Sequence, residues 1–408
     1  MKKTVLQKYA RLIAVKGVNV QKGQDVIITA ELDQPEFVKM VVDECYRAGA
    51  RRVRVDWSYQ PLTKSTYRYA SLKTLSTMED WELKRYEHYA ETLPARIYID
   101  SSDPEGMAGV DQKKMSKVQQ ALYPIIKPLR DKMENKYQWC IAAVPGAKWA
   151  KKVFPELRVG AAMEKLWEMI LYTARADGND PVADWEAHNA DLAKRCEYLN
   201  NIAPVELIYH SENGTDFTVG LISEGSFLGG SEDTLGGVEF NPNIPSEEVF
   251  TSPKKGMAEG TVVATRPLSY RGQMIENFSL TFHEGKVVDC KAEKNEELLR
   301  TMISMDENAC YLGECALVPY DSPIQNSGIT FFDTLFDENA CCHLALGAGF
   351  ENTIQDFGNK TLEECRELGI NDSIIHVDFM IGSPDLSIDA KDKDGKLYPI
   401  FRDGNWAF

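Results

Sequence analysis

Apolar runs of strand length alternate with segments of helical periodicity over the first 200 residues. Residues 35–48 place apolar side chains at helical spacing after Pro35, which favours a helix start. Strands that alternate with helices form mostly parallel sheets with helices on their faces. We therefore predict an N-terminal α/β domain with a mostly parallel sheet. Its predicted strands are residues 25–30, 52–57, 95–100 and 138–144.

The pattern changes after residue 200. Residues 156–199 are rich in Ala, Leu and Met and predict helix, whereas residues 205–210 and 215–220 predict strands joined by a Ser-Glu-Asn-Gly hairpin turn. Further short strands are expected at residues 260–264, 279–283 and 286–292. A chain of 408 residues exceeds one typical core. We predict two domains, an α/β domain over residues 1–200 and a strand-rich α+β catalytic domain over residues 201–408.

Composition and charge narrow the possible partners. The net charge of −16 argues against nucleic acid, because binding to phosphates requires basic patches. No apolar run of membrane-spanning length and no signal-peptide pattern is present, so we expect a cytoplasmic protein without a membrane partner. The nine cysteines form no CxxC pair, which predicts reduced thiols.

A histidine and an aspartate stand two residues apart in an apolar segment near the C-terminus. His376 and Asp378 lie in the run Ser-Ile-Ile-His-Val-Asp-Phe-Met-Ile. Alternate side chains of a strand project from the same face, so the imidazole and the carboxylate would lie side by side. Such a pair alone is more often a structural hydrogen bond than a metal site, and other ligands decide between the two.

Three further segments offer candidate ligands. Glu247 and Glu248 follow Ser246, and as a helix-capping device they need no metal. Glu314 is the lone carboxylate of an uncharged run, and a buried carboxylate requires a partner such as a cation. His343 is the lone basic group of another apolar run, where by itself it would more often be a core histidine.

Together these segments predict a metal centre. Histidine nitrogens and carboxylate oxygens suit zinc, cobalt or manganese better than calcium. The five candidates exceed the three protein ligands of a single catalytic zinc, whereas two ions bridged by a carboxylate would use them all. Two ions about 4 Å apart are typical of aminopeptidases and phosphatases. The chain lacks HExxH, GxSxG, GxGxxG and Walker A motifs, which leaves two-metal hydrolysis as the favoured chemistry.

The four segments, taken jointly, resemble the thermophilic-type metalloaminopeptidases, the aminopeptidase T and aminopeptidase S family. The resemblance rests on residues 243–251, 313–319, 334–343 and 376–382, and residues 17–23 extend it to the N-terminus. It implies a cytoplasmic, homodimeric exopeptidase that uses two divalent ions to release the N-terminal residue from peptides with a free N-terminus. It implies these metal ligands: Glu248, Glu314, His343, His376 and Asp378.

Two glutamates of this set have specific assignments. Glu248 is chosen over Glu247 because the second glutamate of the Glu-Glu motif matches the family's ligand, and Glu247 could cap its turn or hold a water. Glu314 is also the predicted catalytic carboxylate. The sequence does not decide which carboxylate would bridge the two ions.

Phe350 departs from the family pattern. Members often have a tyrosine seven residues after the motif histidine, thought to stabilise the reaction intermediate, and here that position is Phe350. A phenyl ring cannot donate a hydrogen bond, and loss of one oxyanion donor costs roughly 10²- to 10³-fold in turnover. Alternatives are therefore a noncatalytic or weakly active metal- or peptide-binding homologue, or another two-metal hydrolase such as a phosphoesterase. The cysteines near the ligands are expected to fill the core: Cys310, Cys315, Cys341 and Cys342.

Overall fold

The computed structural model describes all 408 residues, which form two compact units. The first unit comprises Met1–His188, Ser231–Ser246 and Arg271–Gln273, and the second comprises Asn189–Gly230, Glu247–Tyr270 and Met274–Phe408. The α/β class predicted from the sequence is confirmed, with a parallel sheet in the first unit and antiparallel sheets in the second. None of the helices combines the length and apolar composition needed to cross a bilayer.

The helices and strands follow in chain order. The helices are α1 (Lys3–Leu12), α2 (Pro35–Ala48), α3 (Gln60–Tyr69), α4 (Leu72–Leu75), α5 (Asp80–Thr92), α6 (Gln112–Met133), α7 (Ala147–Val153), α8 (Val159–Thr173), α9 (Pro181–Ile202), α10 (Glu296–Ile303), α11 (Pro323–Asn326), α12 (Thr334–Asp337) and α13 (Leu362–Leu368). The strands are β1 (Asp25–Glu31), β2 (Arg52–Ser58), β3 (Ala95–Asp100), β4 (Trp139–Ala143), β5 (Glu206–His210), β6 (Asp216–Leu221), β7 (Glu232–Asp233), β8 (Glu239–Phe240), β9 (Asn243–Ile244), β10 (Val249–Thr251), β11 (Pro253–Val263), β12 (Leu268–Tyr270), β13 (Gln273–His283), β14 (Lys286–Lys294), β15 (Leu312–Leu317), β16 (His343–Gly347), β17 (His376–Met380), β18 (Ser387–Lys391), β19 (Leu397–Arg402) and β20 (Asn405–Trp406).

The first unit is built on a five-stranded sheet in the order β2-β1-β3-β4-β9, in which every neighbouring pair is parallel. Central residues such as Ile28 and Ile97 are fully buried, as expected for parallel strands covered by helices. Helix α2 begins at Pro35 and ends where Gly49 adopts φ of 111°, a left-handed conformation that glycine accepts without steric cost.

Two helical regions of the first unit show local irregularities, and the second differs from the pattern-based expectation. The N-terminal helix starts at Lys3 and continues as a π-helical turn to Gly17, where a Cβ would lie 2.8 Å from the Cys140 Sγ. The helix expected over residues 156–199 is divided into α8 and α9. Trp185 stabilises this break by donating from its indole Nε1 to the Ala174 carbonyl oxygen at 2.8 Å.

The second unit contains a nine-stranded sheet and a smaller antiparallel sheet. The larger sheet has the order β12-β13-β11-β6-β5-β18-β19-β20, with β14 paired to β13. The smaller sheet has the order β10-β15-β16-β17, and every residue of β15 and β16 is buried. Such complete burial explains why these strands read as apolar runs interrupted only by single polar residues, which are the candidate ligands.

Candidate metal centre

The register of the smaller sheet places the predicted residues on one face. Glu314 pairs with Ala345, and Ala345 pairs with Asp378 on the next strand. Directly paired residues project to the same side, so the two carboxylates flank a small methyl group. His376 pairs in the same way with Gly347, which has no side chain to occupy the space. Small residues on β16 therefore leave room between the ionisable groups.

The opposite face of the same sheet is apolar. Cys315, Leu344, Leu346, Val377 and Phe379 alternate with the ionisable residues and belong to the main hydrophobic core of the unit. Period-two alternation thus gives this sheet one face that carries the ionisable residues and one face that packs in the hydrophobic core. The polar residues hold their positions because a register shift of one residue would drive charges into the core.

The five predicted ligands lie together in two overlapping groups. Glu248, Glu314 and His343 each offer a ligand atom within 4.8 Å of the others, and so do Glu314, His376 and Asp378. The His343 Nε2 lies 3.3 Å from the Glu248 Oε2. The His376 Nε2 lies 3.2 Å from both the Glu314 Oε2 and the Asp378 Oδ1. Glu314 belongs to both groups.

Each histidine is oriented by a backbone carbonyl. The His343 Nδ1 lies 2.8 Å from the Glu338 carbonyl oxygen, and the His376 Nδ1 lies 2.7 Å from the Ala348 carbonyl oxygen. A carbonyl only accepts, so Nδ1 is the donor in both rings and Nε2 is directed at the carboxylates. Histidines that bind metals commonly donate their other ring N–H to a carbonyl in this way.

The ionisable groups shift one another's pKa values. Burial opposes the charge on both histidines, yet Glu248 raises the pKa of His343 to about 9, and Asp378 raises the pKa of His376 well above its usual value. Burial, together with Glu248 and Asp378, raises the pKa of Glu314 to about 7. Burial also opposes the charge of Asp378, but His376 lowers its pKa to about 2. The negative charge that the carboxylates could carry therefore exceeds the positive charge of the two histidines.

One carboxylate oxygen indicates directly that a cation fits here. The buried Asp378 Oδ1 receives no hydrogen bond, although it lies 3.2 Å from the His376 Nε2. A buried carboxylate oxygen without a donor is strongly disfavoured unless a cation approaches it. Nitrogen and carboxylate donors in this number match divalent transition metals or zinc.

Glu338 is a carboxylate that the sequence-based reasoning missed. Its side chain is buried, and burial together with Asp378, Glu248 and Glu314 raises its pKa well above the usual value. It belongs to the short 3₁₀ turn that precedes His343. The available signal was an acidic residue two positions before the apolar stretch of residues 340–342, where solvation of the carboxylate is poor.

Phe350 lies beside this cluster. Its ring centroid is 4.8 Å from that of His376 and 5.6 Å from that of Phe250. The Phe350 backbone N–H donates to the Ser252 Oγ at 2.8 Å, which fixes the segment that follows β16. The aromatic ring therefore packs beside a candidate ligand, and it contributes no hydrogen-bond donor.

The cysteines lie outside both groups of candidate ligands. Cys315, Cys341 and Cys342 are buried, and burial raises the pKa of each thiol. Cys310 is the one cysteine that is not fully buried, and burial also raises its pKa. The thiols thus remain protonated and act as small apolar side chains.

Comparison with known proteins identifies relatives over nearly the whole chain. The family model described as thermophilic metalloprotease (M29) matches residues 2–406. Aminopeptidase AmpS of Bacillus subtilis is 42% identical over 99% of this chain and 98% of its own length. Aminopeptidase T of Thermus thermophilus is 38% identical over 98% of each chain. The solved structure of wild-type AmpT from Thermus thermophilus superposes with a TM-score of 0.89 and 37% identity over 100% of both chains.

These matches confirm the resemblance inferred from the four motifs and the prediction of a metallopeptidase whose named relatives are aminopeptidases. The relatives named above match 98 to 99% of this chain at 38 to 42% identity. The chain belongs to the thermophilic metalloprotease family, M29.

Proposed function

We propose that this metallopeptidase removes the N-terminal residue from peptides by a mechanism that uses two divalent ions. The observation that carries the proposal is the position of Glu314 in both groups of candidate ligands. A carboxylate shared by two ligand groups is the arrangement expected for a bridging ligand. The proposal places this chemistry in the second unit, in keeping with the catalytic domain predicted for residues 201–408.

The proposed ligands divide around Glu314. Glu248 and His343 would complete the ligand set of one ion. His376 and Asp378 would complete the ligand set of the other ion. Zinc, cobalt and manganese all accept such donors. When bound, the two ions would polarise the scissile carbonyl and lower the pKa of the attacking water. Glu248 is preferred to Glu247 because its Oε2 lies 3.3 Å from the His343 Nε2.

The chain's own residues would orient the ligands and handle the proton. The carbonyl oxygens of Glu338 and Ala348 would hold the two imidazoles with Nε2 toward the centre. Glu314 remains the proposed catalytic carboxylate, because it belongs to both groups of candidate ligands. Glu338, buried among the same groups, is a second carboxyl that could accept the proton.

Phe350 supports a second candidate, a weakly active homologue that binds metal and peptides. The ring packs on His376 at 4.8 Å and offers no hydroxyl to an oxyanion. We expect slow turnover for this reason, with peptide binding retained. The remaining alternative, phosphoester hydrolysis, gains no support from a chain with a net charge of −16.

The test is turnover of full-length protein reconstituted separately with zinc, cobalt and manganese. Aminoacyl p-nitroanilides should be cleaved, whereas N-acetylated versions should not, because an exopeptidase requires the free amine. A phosphate ester serves as the control for another two-metal hydrolase. Peptide binding without cleavage in a fully metallated sample would favour the weakly active homologue, and cleavage of the phosphate ester alone would contradict the peptidase assignment.

We further propose a cytoplasmic homodimer without a nucleic-acid or membrane partner. The acidic charge supports the absence of nucleic acid. The family resemblance supports the dimer and the location. Light scattering coupled to gel filtration should give twice the 45.9 kDa mass of the chain. A mass of one chain at assay concentration would contradict the dimer.

A further inference from the structure

Asn339 lies in the second unit, completely buried, within the 3₁₀ turn between α12 and β16. Its side-chain Oδ1 accepts a hydrogen bond of 2.7 Å from the Glu247 backbone N–H. Its Nδ2 donates to the Leu335 carbonyl oxygen at 2.9 Å and to the Glu338 Oε1 at 3.3 Å. These partners fix the amide orientation, because an N–H requires an acceptor and a carbonyl requires a donor.

The segments that Asn339 connects are far apart in sequence. Glu247 and Asn339 are separated by 92 positions. Glu247 directly precedes Glu248 at the entry to β10, whereas Asn339 lies four residues before His343 at the start of β16. Strand β15 separates β10 from β16, so the two strands are about 10 Å apart and share no ladder hydrogen bonds. The sheet alone therefore does not join these two ends directly.

We infer that Asn339 is a positioning residue of the metal centre: its amide joins the segment that presents Glu248 to the turn that orients His343. One side of the amide holds the Glu247 backbone. The other side holds Glu338, whose carbonyl oxygen accepts from the His343 Nδ1. The 3.3 Å separation between the Glu248 Oε2 and the His343 Nε2 thus depends on a group that contacts neither atom. The inference rests on the proposed metal site.

Asn339→Asp tests this role because it keeps an acceptor for the Glu247 N–H and replaces the amide donor to Leu335 and Glu338 with a carboxyl group. The matched control is Thr215→Val in the same unit. Thr215 is also fully buried, and its Oγ1 accepts from the Val263 backbone N–H at 3.1 Å, away from the cluster. Zinc affinity is measured by competition with a chromogenic chelator, and urea unfolding of the metal-free proteins reports the fold.

We expect Asn339→Asp to bind zinc about 10- to 100-fold more weakly than wild type, the usual effect of removing a group that supports metal ligands. Thr215→Val should shift the urea midpoint while keeping wild-type zinc affinity. Wild-type affinity in a folded Asn339→Asp protein would overturn the inference, as would an equal loss of affinity in both variants. Asn339→Ser adds no carboxyl group to the acidic cluster, leaves room for a water and carries the same expectation. It therefore separates loss of the amide from added charge, and it replaces Asn339→Asp should that variant not fold. A wild-type protein that binds no zinc would overturn both this inference and the proposed function, whereas the other results affect this inference alone.

Discussion

Two histidine–glutamate pairs of the second unit have similar nitrogen–oxygen distances and different surroundings. His283 Nδ1 lies 3.1 Å from Glu259 Oε2 across the paired strands β13 and β11, where both side chains are more than half exposed. His343 Nε2 lies 3.3 Å from Glu248 Oε2, where His343 is 1% exposed. Glu259 also accepts from the Glu284 backbone N–H at 2.7 Å, so the exposed pair has a complete set of donors.

The buried pair belongs to a cluster that has too little positive charge. Glu248, Glu314, Glu338 and Asp378 surround two histidines, and one Asp378 oxygen receives no hydrogen bond. Water balances the charge of the exposed pair, whereas buried carboxylates depend on protons or cations. Distance alone therefore does not distinguish a surface ion pair from a metal centre. Burial and the balance of charge do.

Metal removal should produce the largest difference between the buried cluster and the exposed His283–Glu259 pair. Chelation of the divalent ions should abolish peptidase activity, and adding zinc, cobalt or manganese should restore it. Thermal unfolding should also shift, since a ligand at 1,000 times its Kd stabilises the folded state by about 4 kcal/mol. His283→Ala serves as the control and should respond to chelation like wild type. Full activity after exhaustive chelation would contradict a metal centre in the buried cluster.

Neutralising the shared carboxylate should have the next largest effect. Glu314→Gln keeps the side-chain size but removes a ligand charge and the proposed proton acceptor, so kcat should fall roughly 10²- to 10⁴-fold. Steady-state kinetics at saturating metal measures this loss, and circular dichroism verifies the fold. The corresponding exposed change, Glu259→Gln, should leave kcat unchanged. Similar kinetics for the two variants would remove the proposed distinction between the pairs.

Phe350→Tyr should increase kcat by up to about 10²-fold, because a phenol beside His376 supplies the donor that the phenyl ring lacks. The gain should appear in kcat rather than KM, since the interaction forms with the developing oxyanion. Phe350→Leu removes the ring without adding a donor and should give no gain. An equal response of the two variants would show that the aromatic contact, and not the hydroxyl, limits turnover.

The smallest effect is expected at the exposed pair. The hydrogen bond and charge of Glu259 raise the pKa of His283, so Glu259→Gln should lower it toward its ordinary value. The sign follows from linkage: the pair stabilises the fold below the unfolded-state pKa of histidine, and this contribution is lost as the pH rises through the raised pKa. Proton NMR of the His283 ring measures the shift. Because the pair is exposed, unfolding curves should hardly change. An unchanged His283 pKa would contradict the assigned cause.

Local pattern predicted much of the parallel sheet. Strand β3 and helix α2 have the expected bounds, because each combines a clear period with a distinct end signal. Strand β9 was not predicted. It has two residues, Asn243–Ile244, and joins β4 about 100 positions earlier in the chain. A strand this short has no periodicity of its own, so its pairing depends on the tertiary fold and is not visible in the local sequence.

The candidate site shows the same division between local and long-range information. Residue type and an apolar context marked His343 and Glu314 as candidates, and the structure brings both into one group. Glu338 escaped notice because its burial depends on packing from other strands. The pairing of Glu314 with Ala345, and of Ala345 with Asp378, is likewise a matter of register between strands. Motif resemblance could name the candidate ligands, but it could not place Asn339 between their segments.

The buried state of the cysteines simplifies future metal titrations. Eight of the nine cysteines are buried and none belongs to either ligand group. Soft ions that would otherwise attach to free thiolates meet protonated sulfur shielded by the core, so adventitious binding should contribute little background. A stoichiometry measured with cobalt or cadmium would therefore count sites made of oxygen and nitrogen, and cobalt's visible spectrum would report their coordination without interference from sulfur.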